Sequence, residues 1–127
     1  MTRLLLDTHV VLWLLDDSPR LGIEARDRIM AGAAVYVSAA STWELAIKAA
    51  IGKITLPDDL NGAIERSGLR DLPVTRRNTL APELMALPHK DPFDAILVAQ
   101  AKAERLTLLT ADTKLLKALP GAVDARL

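Results

Sequence analysis

The chain has 127 residues, the size of one domain, and it is long enough to bury a hydrophobic core. Half of its residues are apolar but only four are aromatic, so the core must consist mainly of Leu, Ala, Val and Ile. Sixteen basic residues balance sixteen acidic ones, which excludes binding of nucleic acid by overall charge alone. The chain has no cysteine, which excludes disulfides and thiolate metal sites. We expect a single domain spanning residues 1–127.

The first third of the chain predicts two strands and two helices. Residues 3–6 form an apolar run typical of a short buried strand, and a helix is predicted to follow through residues 10–15. Ser18-Pro19 predicts a second helix that runs to about Ala31, because serine is a good N-cap and proline suits the first helical position. Residues 34–37 predict the second strand. Acidic residues interrupt the apolar start of the chain, so we expect neither a signal sequence nor a membrane span, and a cytoplasmic location.

The middle of the chain predicts two further helices and a weak strand. Ser41-Thr42-Trp43-Glu44 has the form of a capping box, which predicts a helix with Glu44 in its first turn and its end at Gly52. A helix is expected at residues 58–66. A strand at residues 69–74 should be weak or at a sheet edge, because Pro73 interrupts it.

The last third begins with a helix predicted from its capping residue Thr75, continuing through Leu84 and Met85. Asp91 is then a good N-cap and Pro92 suits the first position of a largely apolar helix that continues through residues 95–104. The remaining predicted elements are a strand at residues 107–109, a helix at 114–119 and a short strand at 122–125. This alternation predicts a three-layer α/β/α sandwich with a mainly parallel sheet of four or five strands.

Acidic residues recur where predicted strands and loops give way to helices. Asp7 follows the first strand, Asp112 follows the fourth, and Glu44 and Asp94 lie near helix starts. Each has an ordinary structural explanation, since acids favour first helical turns and Glu44 can pair with Lys48 one turn later. Asp91 is explained fully as a helix cap.

The topology nevertheless favours a common location for these acids. Ligands of open α/β sheets collect beyond the carboxyl ends of the strands, so Asp7, Glu44, Asp94 and Asp112 should lie near one edge. Two carboxylates ~4 Å apart repel by about 4 kcal/mol at an effective dielectric constant of ~20, so such a cluster must protonate or bind a cation. Oxygen ligands of this kind favour Mg²⁺ or Mn²⁺, and the chemistry indicated is phosphoryl transfer.

Other side chains near the acids are candidates for supporting roles. Three hydroxyl groups are predicted to orient the acids, on Thr8, Ser41 and Thr110. Lys48 and Lys90 are the cations best placed to contact a phosphate group. His9 and His89 lack metal-ligand spacing, and both tryptophans, Trp13 and Trp43, are expected to pack in the core.

Four segments, taken in their order and spacing, resemble PIN-domain ribonucleases, specifically VapC-type toxins of bacterial toxin–antitoxin pairs. The segments are LLLDTH at 4–9, SAASTWELAIK at 38–48, HKDPFDA at 89–95 and LTAD at 109–112. The resemblance implies that Asp7, Glu44 and Asp94 are the core metal ligands, that Asp112 is a more variable fourth, and that Asp91 is mainly structural.

The resemblance also implies an activity and partners. Such enzymes hydrolyse RNA with Mg²⁺ or Mn²⁺, usually form homodimers, and are silenced by a small antitoxin whose C-terminal segment covers the acidic pocket. Ala95 departs from the pattern, because relatives often have Arg after the F-D pair. A cation that could contact phosphate or a neighbouring carboxylate is therefore missing at this position.

Two other classes of protein also depend on acidic residues of this kind. A receiver-like signalling module, which binds Mg²⁺ at a phospho-acceptor Asp, needs that Asp after the middle strand, whereas Asp58 and Asp59 precede a predicted helix. A haloacid-dehalogenase-type phosphatase needs a D-x-D motif, but the chain has Asp7-Thr8-His9. The receiver-like module remains the alternative.

Overall fold

The computed structural model describes residues 2–32, 34–81 and 91–127. These residues form five strands and seven helices. In chain order the elements are β1 (Arg3–Leu6), α1 (Thr8–Leu15), α2 (Ile23–Ala31), β2 (Ala34–Ser38), α3 (Ala39–Ala50), α4 (Leu60–Arg66), β3 (Arg70–Leu72), α5 (Arg76–Thr79), α6 (Pro92–Ala103), β4 (Thr107–Thr110), α7 (Thr113–Ala118) and β5 (Val123–Asp124).

The five strands form one sheet in the order β3-β2-β1-β4-β5, and every pair of neighbours is parallel. The central strand β1 sets the register, with Leu5 opposite both Tyr36 of β2 and Leu108 of β4. All carboxyl ends of the strands therefore meet at one edge of the sheet. The predicted α/β fold with a parallel sheet is confirmed, and β3 lies at a sheet edge as expected.

Hydrophobic clusters cover both faces of the sheet. Leu4 and Leu6 pack in one cluster with residues of α1, α2 and α4, whereas Leu5 packs in the other with residues of α6 and α7. This alternation follows from the strand geometry, in which successive side chains point to opposite faces. The continuous apolar run of β1 is therefore the signature of a strand that is buried on both sides.

The start of α2 differs from the prediction. The helix begins at Ile23 rather than at Pro19, and the Ser18 hydroxyl accepts a hydrogen bond from the Arg20 N–H within a turn. An N–H group in the first turn of the helix instead has its acceptor at the other end of the chain, because the Glu24 N–H donates to the carbonyl of Leu127. Gly22 is required at this approach, since a Cβ there would collide with the backbone of Leu127.

The predicted capping box of α3 is also wrong. Ser38 caps the helix by accepting a hydrogen bond from the Ala40 N–H. The cap therefore lies three residues before the predicted cap, Ser41. Ser41 is consequently a buried helical residue, and Glu44 lies beyond the first turn. The end of the helix is as predicted, with Gly52 in the left-handed conformation.

Other predicted caps are confirmed. Thr75 forms a capping box with Asn78 at the start of α5, and Asp91 caps α6 with Pro92 at its first position. The predicted continuation of the α5 helix through Leu84 and Met85 lies outside the described residues. In the described ranges, no helix combines the length and the apolar character that crossing a membrane requires.

Candidate active site

A cleft of about 430 Å³ opens beyond the carboxyl ends of the strands. All four acids predicted as catalytic and metal-binding lie in its wall, although they come from four separate parts of the chain. The residues that line it are Asp7, His9, Trp13, Glu44, Lys48, Asp91, Asp94, Ala111, Asp112 and Arg126. The expectation that topology gathers these acids at one edge agrees with the geometry.

Asp7 lies at the end of the central strand and is only 6% exposed. One of its carboxylate oxygens accepts from the Thr8 N–H at 2.7 Å, and the other accepts from the Thr110 hydroxyl at 2.6 Å. Burial raises the pKa of Asp7 above its usual value, against the lowering effect of these two hydrogen bonds. The carboxylate is therefore held in one orientation at some electrostatic cost.

Thr110, at the end of β4, joins two of the acids. Its hydroxyl donates to Asp7 and accepts from the Asp112 N–H at 3.0 Å. Asp112 in turn caps α7 by accepting from the Lys114 N–H at 2.8 Å. The predicted supporting position of Thr110 thus corresponds to a direct link between the first and fourth acids.

Glu44 enters the cleft from α3. It is only 5% exposed, and Lys48 pairs with its carboxylate at 2.8 Å one helical turn later. Ser41, one turn earlier on the same helix, accepts a hydrogen bond from the Thr8 hydroxyl at 3.1 Å. The two hydroxyl residues therefore join the starts of α1 and α3 beneath the acids rather than contacting the carboxylates with their side chains.

Asp94 lies in the first turn of α6, beside the capping residue Asp91. Burial, and to a lesser degree the surrounding carboxylates, together raise the pKa of Asp94 to about 7. Those carboxylates are Asp7, Asp91, Asp112 and Glu44. Both the burial of Asp94 and the negative charge around it therefore disfavour its ionised form.

The donor set fits a hard divalent cation, because carboxylate oxygens are the ligands that Mg²⁺ and Mn²⁺ favour. Within residues 2–32, 34–81 and 91–127, no three acidic or histidine side chains are arranged to ligate one ion directly. Mg²⁺ usually keeps several waters, and these can bridge carboxylates that share a cleft without converging on one point. The convergence of Asp7, Glu44, Asp94 and Asp112 on one cleft is the observation that favours a cation here.

The basic residues of the cleft differ from the sequence predictions. Lys48 lines it but is paired with Glu44, and Lys90 lies outside the described residues. Arg126 also lines the cleft, and sequence reasoning missed it because its segment carries no motif. Its guanidinium forms a two-point contact with Asp124, at 2.9 and 2.7 Å, which lowers the pKa of Asp124.

Trp43 is on the surface, 64% exposed, so its predicted place in the core is wrong. The buried side of α3 carries Ala40, Ser41, Glu44 and Leu45, and Trp43 points away from it. Its ring meets Phe93 edge to face at 5.5 Å beside an almost wholly apolar groove that also includes Val74 and Ile96. Trp13, in contrast, packs partly buried against the core as expected.

Comparison with known proteins identifies the family. The PIN domain model matches residues 4–120. None of the curated protein sequences matches the chain.

Solved structures share its fold. A toxin–antitoxin complex from Klebsiella pneumoniae is 20% identical, with 95% of this chain and 96% of that chain covered and a TM-score of 0.64. VapBC2 from Rickettsia felis, bound to a DNA fragment from their promoter, is 16% identical, with 96% of both chains covered and a TM-score of 0.67. A protein from Pyrobaculum aerophilum is 17% identical, with 98% of this chain and 84% of that chain covered and a TM-score of 0.64.

These likenesses agree with the parallel α/β sheet and with the resemblance drawn from the sequence. At such identities the structural matches support the fold, whereas the family model spans almost the whole chain. The chain belongs to the PIN-domain family.

Proposed function

We propose that this protein is a divalent-metal-dependent endoribonuclease and that it acts as the VapC-type toxin of a toxin–antitoxin pair. The observation that carries the proposal is the convergence of Asp7, Glu44, Asp94 and Asp112 on one cleft at the carboxyl edge of the sheet. Membership of the PIN-domain family supports nuclease chemistry, and two structures of the same fold are toxin–antitoxin complexes.

The four acids would hold Mg²⁺ or Mn²⁺, with Asp7 as the most rigid ligand because Thr8 and Thr110 fix both of its oxygens. A bound ion supplies polarisation of the phosphate and a lower pKa for the attacking water. Lys48 pairs with Glu44 and balances its charge.

Hydrolysis needs one water molecule and no other reactant. The water oxygen forms a bond to phosphorus, the bond from phosphorus to one ribose oxygen breaks, and that oxygen leaves with a proton. A carboxylate of the cleft would accept the proton that the water loses, and this proton is then passed to the departing ribose oxygen. Burial and neighbouring negative charge make Asp94 more basic than a free carboxylate, with a pKa of about 7.

The partners of this function are an RNA substrate, a small antitoxin and a second copy of the chain. The apolar groove beside Trp43 and Phe93 adjoins the acidic cleft, because Trp43 and Phe93 directly precede Glu44 and Asp94. An antitoxin segment that combines apolar and basic side chains would match both surfaces. An exposed apolar groove of this kind also suits a homodimer contact.

The receiver-like alternative has no observation in its favour. Asp59 caps α4 by accepting a hydrogen bond from the Gly62 N–H, which is a structural role. The PIN-domain match accounts for the same acidic edge without a phospho-acceptor.

The nuclease proposal is tested with purified protein and labelled single-stranded RNA. Cleavage is expected with Mn²⁺ or Mg²⁺, and none with excess chelator. Asp94→Asn, which keeps the size of the side chain, should reduce kcat by at least about 100-fold, because loss of a ligand should exceed the 10–100-fold effects of outer partners. The matched control is Asp58→Asn at an exposed position, which should cleave normally. Equal cleavage by all three proteins, or cleavage without metal, would refute the proposal.

The toxin role needs a separate experiment. Expression of the protein alone should arrest growth, and co-expression of a small adjacent reading frame should restore it. Arrest that persists with Asp94→Asn would separate toxicity from cleavage, and an indifferent host would leave a nuclease without a toxin role.

A further inference from the structure

Arg126 is a cation held in the wall of a cleft whose other ionised groups are mostly acidic. The chain carries no net positive charge, so contact with an RNA phosphate depends on single, well-placed basic residues. Among the described residues that line the cleft, Lys48 and Arg126 are the permanent cations. Lys48 forms an ion pair with Glu44, and its side chain is 28% exposed. The Arg126 side chain is 50% exposed.

The segment 125–127 that carries Arg126 is firmly attached on both sides. Ala125 is fully buried, its N–H donates to the Thr110 carbonyl at 2.8 Å, and its carbonyl accepts from the Gly22 N–H at 2.9 Å. The Leu127 carbonyl accepts from the Glu24 N–H at 2.8 Å. Because Thr110 also holds Asp7, the backbone beside Arg126 is connected through one residue to the centre of the acidic cluster.

The contact with Asp124 orients the guanidinium but uses only some of its N–H donors. Asp124 engages the Nε and Nη2 groups of Arg126, and a guanidinium has five N–H donors. Donors therefore remain for a ligand in the cleft. The planar, bidentate geometry of this side chain suits phosphate better than the point charge of a lysine.

We propose that Arg126 is the phosphate-contact residue of this cleft, which binds the RNA backbone next to the acidic centre. This inference rests on the proposed ribonuclease function. Asp124 acts as its positioning residue, through the two hydrogen bonds that fix the guanidinium. A basic residue just beyond β5 thus supplies the positive charge that Ala95 does not supply from α6.

The test compares full-length variants in RNA cleavage and in RNA binding by fluorescence anisotropy, each over a range of salt concentrations. For Arg126→Ala we expect an approximately tenfold higher KM with kcat little changed, and equal weakening for RNAs of different sequence. The slope of log affinity against log salt should become shallower by about 0.7, the value for one lost single-strand phosphate contact. Arg126→Lys should keep the salt slope and recover part of the affinity.

Two controls separate phosphate contact from a structural role. Asp124→Asn breaks the same ion pair but leaves the Arg126 charge, so it should preserve the salt slope that Arg126→Ala loses. Arg28→Ala removes an exposed arginine from the last turn of α2, which precedes the amino end of β2 and faces away from the cleft edge. It should leave KM and the salt slope unchanged.

The outcomes are distinct. If Arg126→Ala retains the wild-type KM and salt slope, or changes both only as much as Asp124→Asn does, the proposal is overturned. If Arg126→Ala affects only binding of an antitoxin, the residue belongs to the protein interface and the proposal is also overturned. Salt-dependent binding through Arg126 without any cleavage by the wild type would support the phosphate contact while refuting the nuclease function.

Discussion

Leu6 and Asp7 are neighbours in the chain and almost equally buried, at 0% and 6% exposure, but they act in opposite ways on the fold. Leu6 contributes apolar area to a core cluster on one face of the sheet. Asp7 is a carboxylate whose burial raises its pKa, and its hydrogen bonds offset only part of that cost. The interior of the sheet stabilises the protein, whereas its carboxyl edge holds buried acidic groups at an electrostatic cost.

The largest stability effect is expected in the interior. Leu5→Ala should lower the free energy of unfolding by about 2–5 kcal/mol, because it leaves a cavity among fully buried residues of β1, β4 and α6. Denaturant unfolding measures the change. The control Ile51→Ala, at a position 62% exposed, should stay within about 0.5 kcal/mol of wild type. Similar losses for both variants would remove the distinction between core and surface.

The link between interior and edge should give an intermediate effect. Thr110→Val keeps the shape of the side chain but removes the hydroxyl that serves both Asp7 and the Asp112 N–H. We expect a loss of about 1–3 kcal/mol in unfolding free energy from the groups left unpaired, and about tenfold weaker Mn²⁺ binding.

Thr107→Val is the matched control, because it makes the same change at the opposite end of β4. It should alter neither quantity. Unchanged Mn²⁺ affinity in Thr110→Val would show that the threonine stabilises the fold without orienting a ligand.

The smallest stability effect should come from Asp94, with the opposite sign. Its pKa is about 7 in the folded protein against 3.8 for an ordinary aspartate, so between these pH values the folded state retains a proton that the unfolded state has lost. Stability of the metal-free protein should therefore fall as pH rises through this window. Asp94→Asn should remove that fall and be more stable than wild type by ~1–2 kcal/mol at pH 8, less than the full shift implies because the group is partly exposed.

Thermal unfolding in chelator at pH 5 and pH 8 measures this difference. If the stability difference between wild type and Asp94→Asn is the same at both pH values, the raised pKa of this carboxyl group is contradicted.

Much of the fold was predictable because β1, β2 and β4 are apolar runs of a length and composition that suit buried strands. Their parallel order then brought Asp7 and Asp112 to one edge by topology alone. The caps at Thr75 and Asp91 were predictable because they depend on local hydrogen bonds.

Two of the errors, at the start of α2 and at Arg126, originate in contacts between distant segments. The start of α2 depends on carbonyl groups about a hundred residues away, at Ala125 and Leu127, and no local signal reports them. The sequence predicts a core position for Trp43 because apolar residues are usually buried. The buried side of α3 instead includes the polar residues Ser41 and Glu44, and Trp43 is exposed. Arg126 reaches the cleft only because the two-residue strand β5 pairs with β4.

The most direct test of the central claim is calorimetric titration of Mn²⁺ into chelator-free protein at pH 8, where Asp94 is mainly ionised. The acids of the carboxyl edge are expected to bind Mn²⁺ together, so wild type and Asp58→Asn should bind it equally and Asp94→Asn at least about tenfold more weakly. Equal Mn²⁺ affinity in all three proteins, or no binding by the wild type, would contradict the claim that these side chains form one cation site.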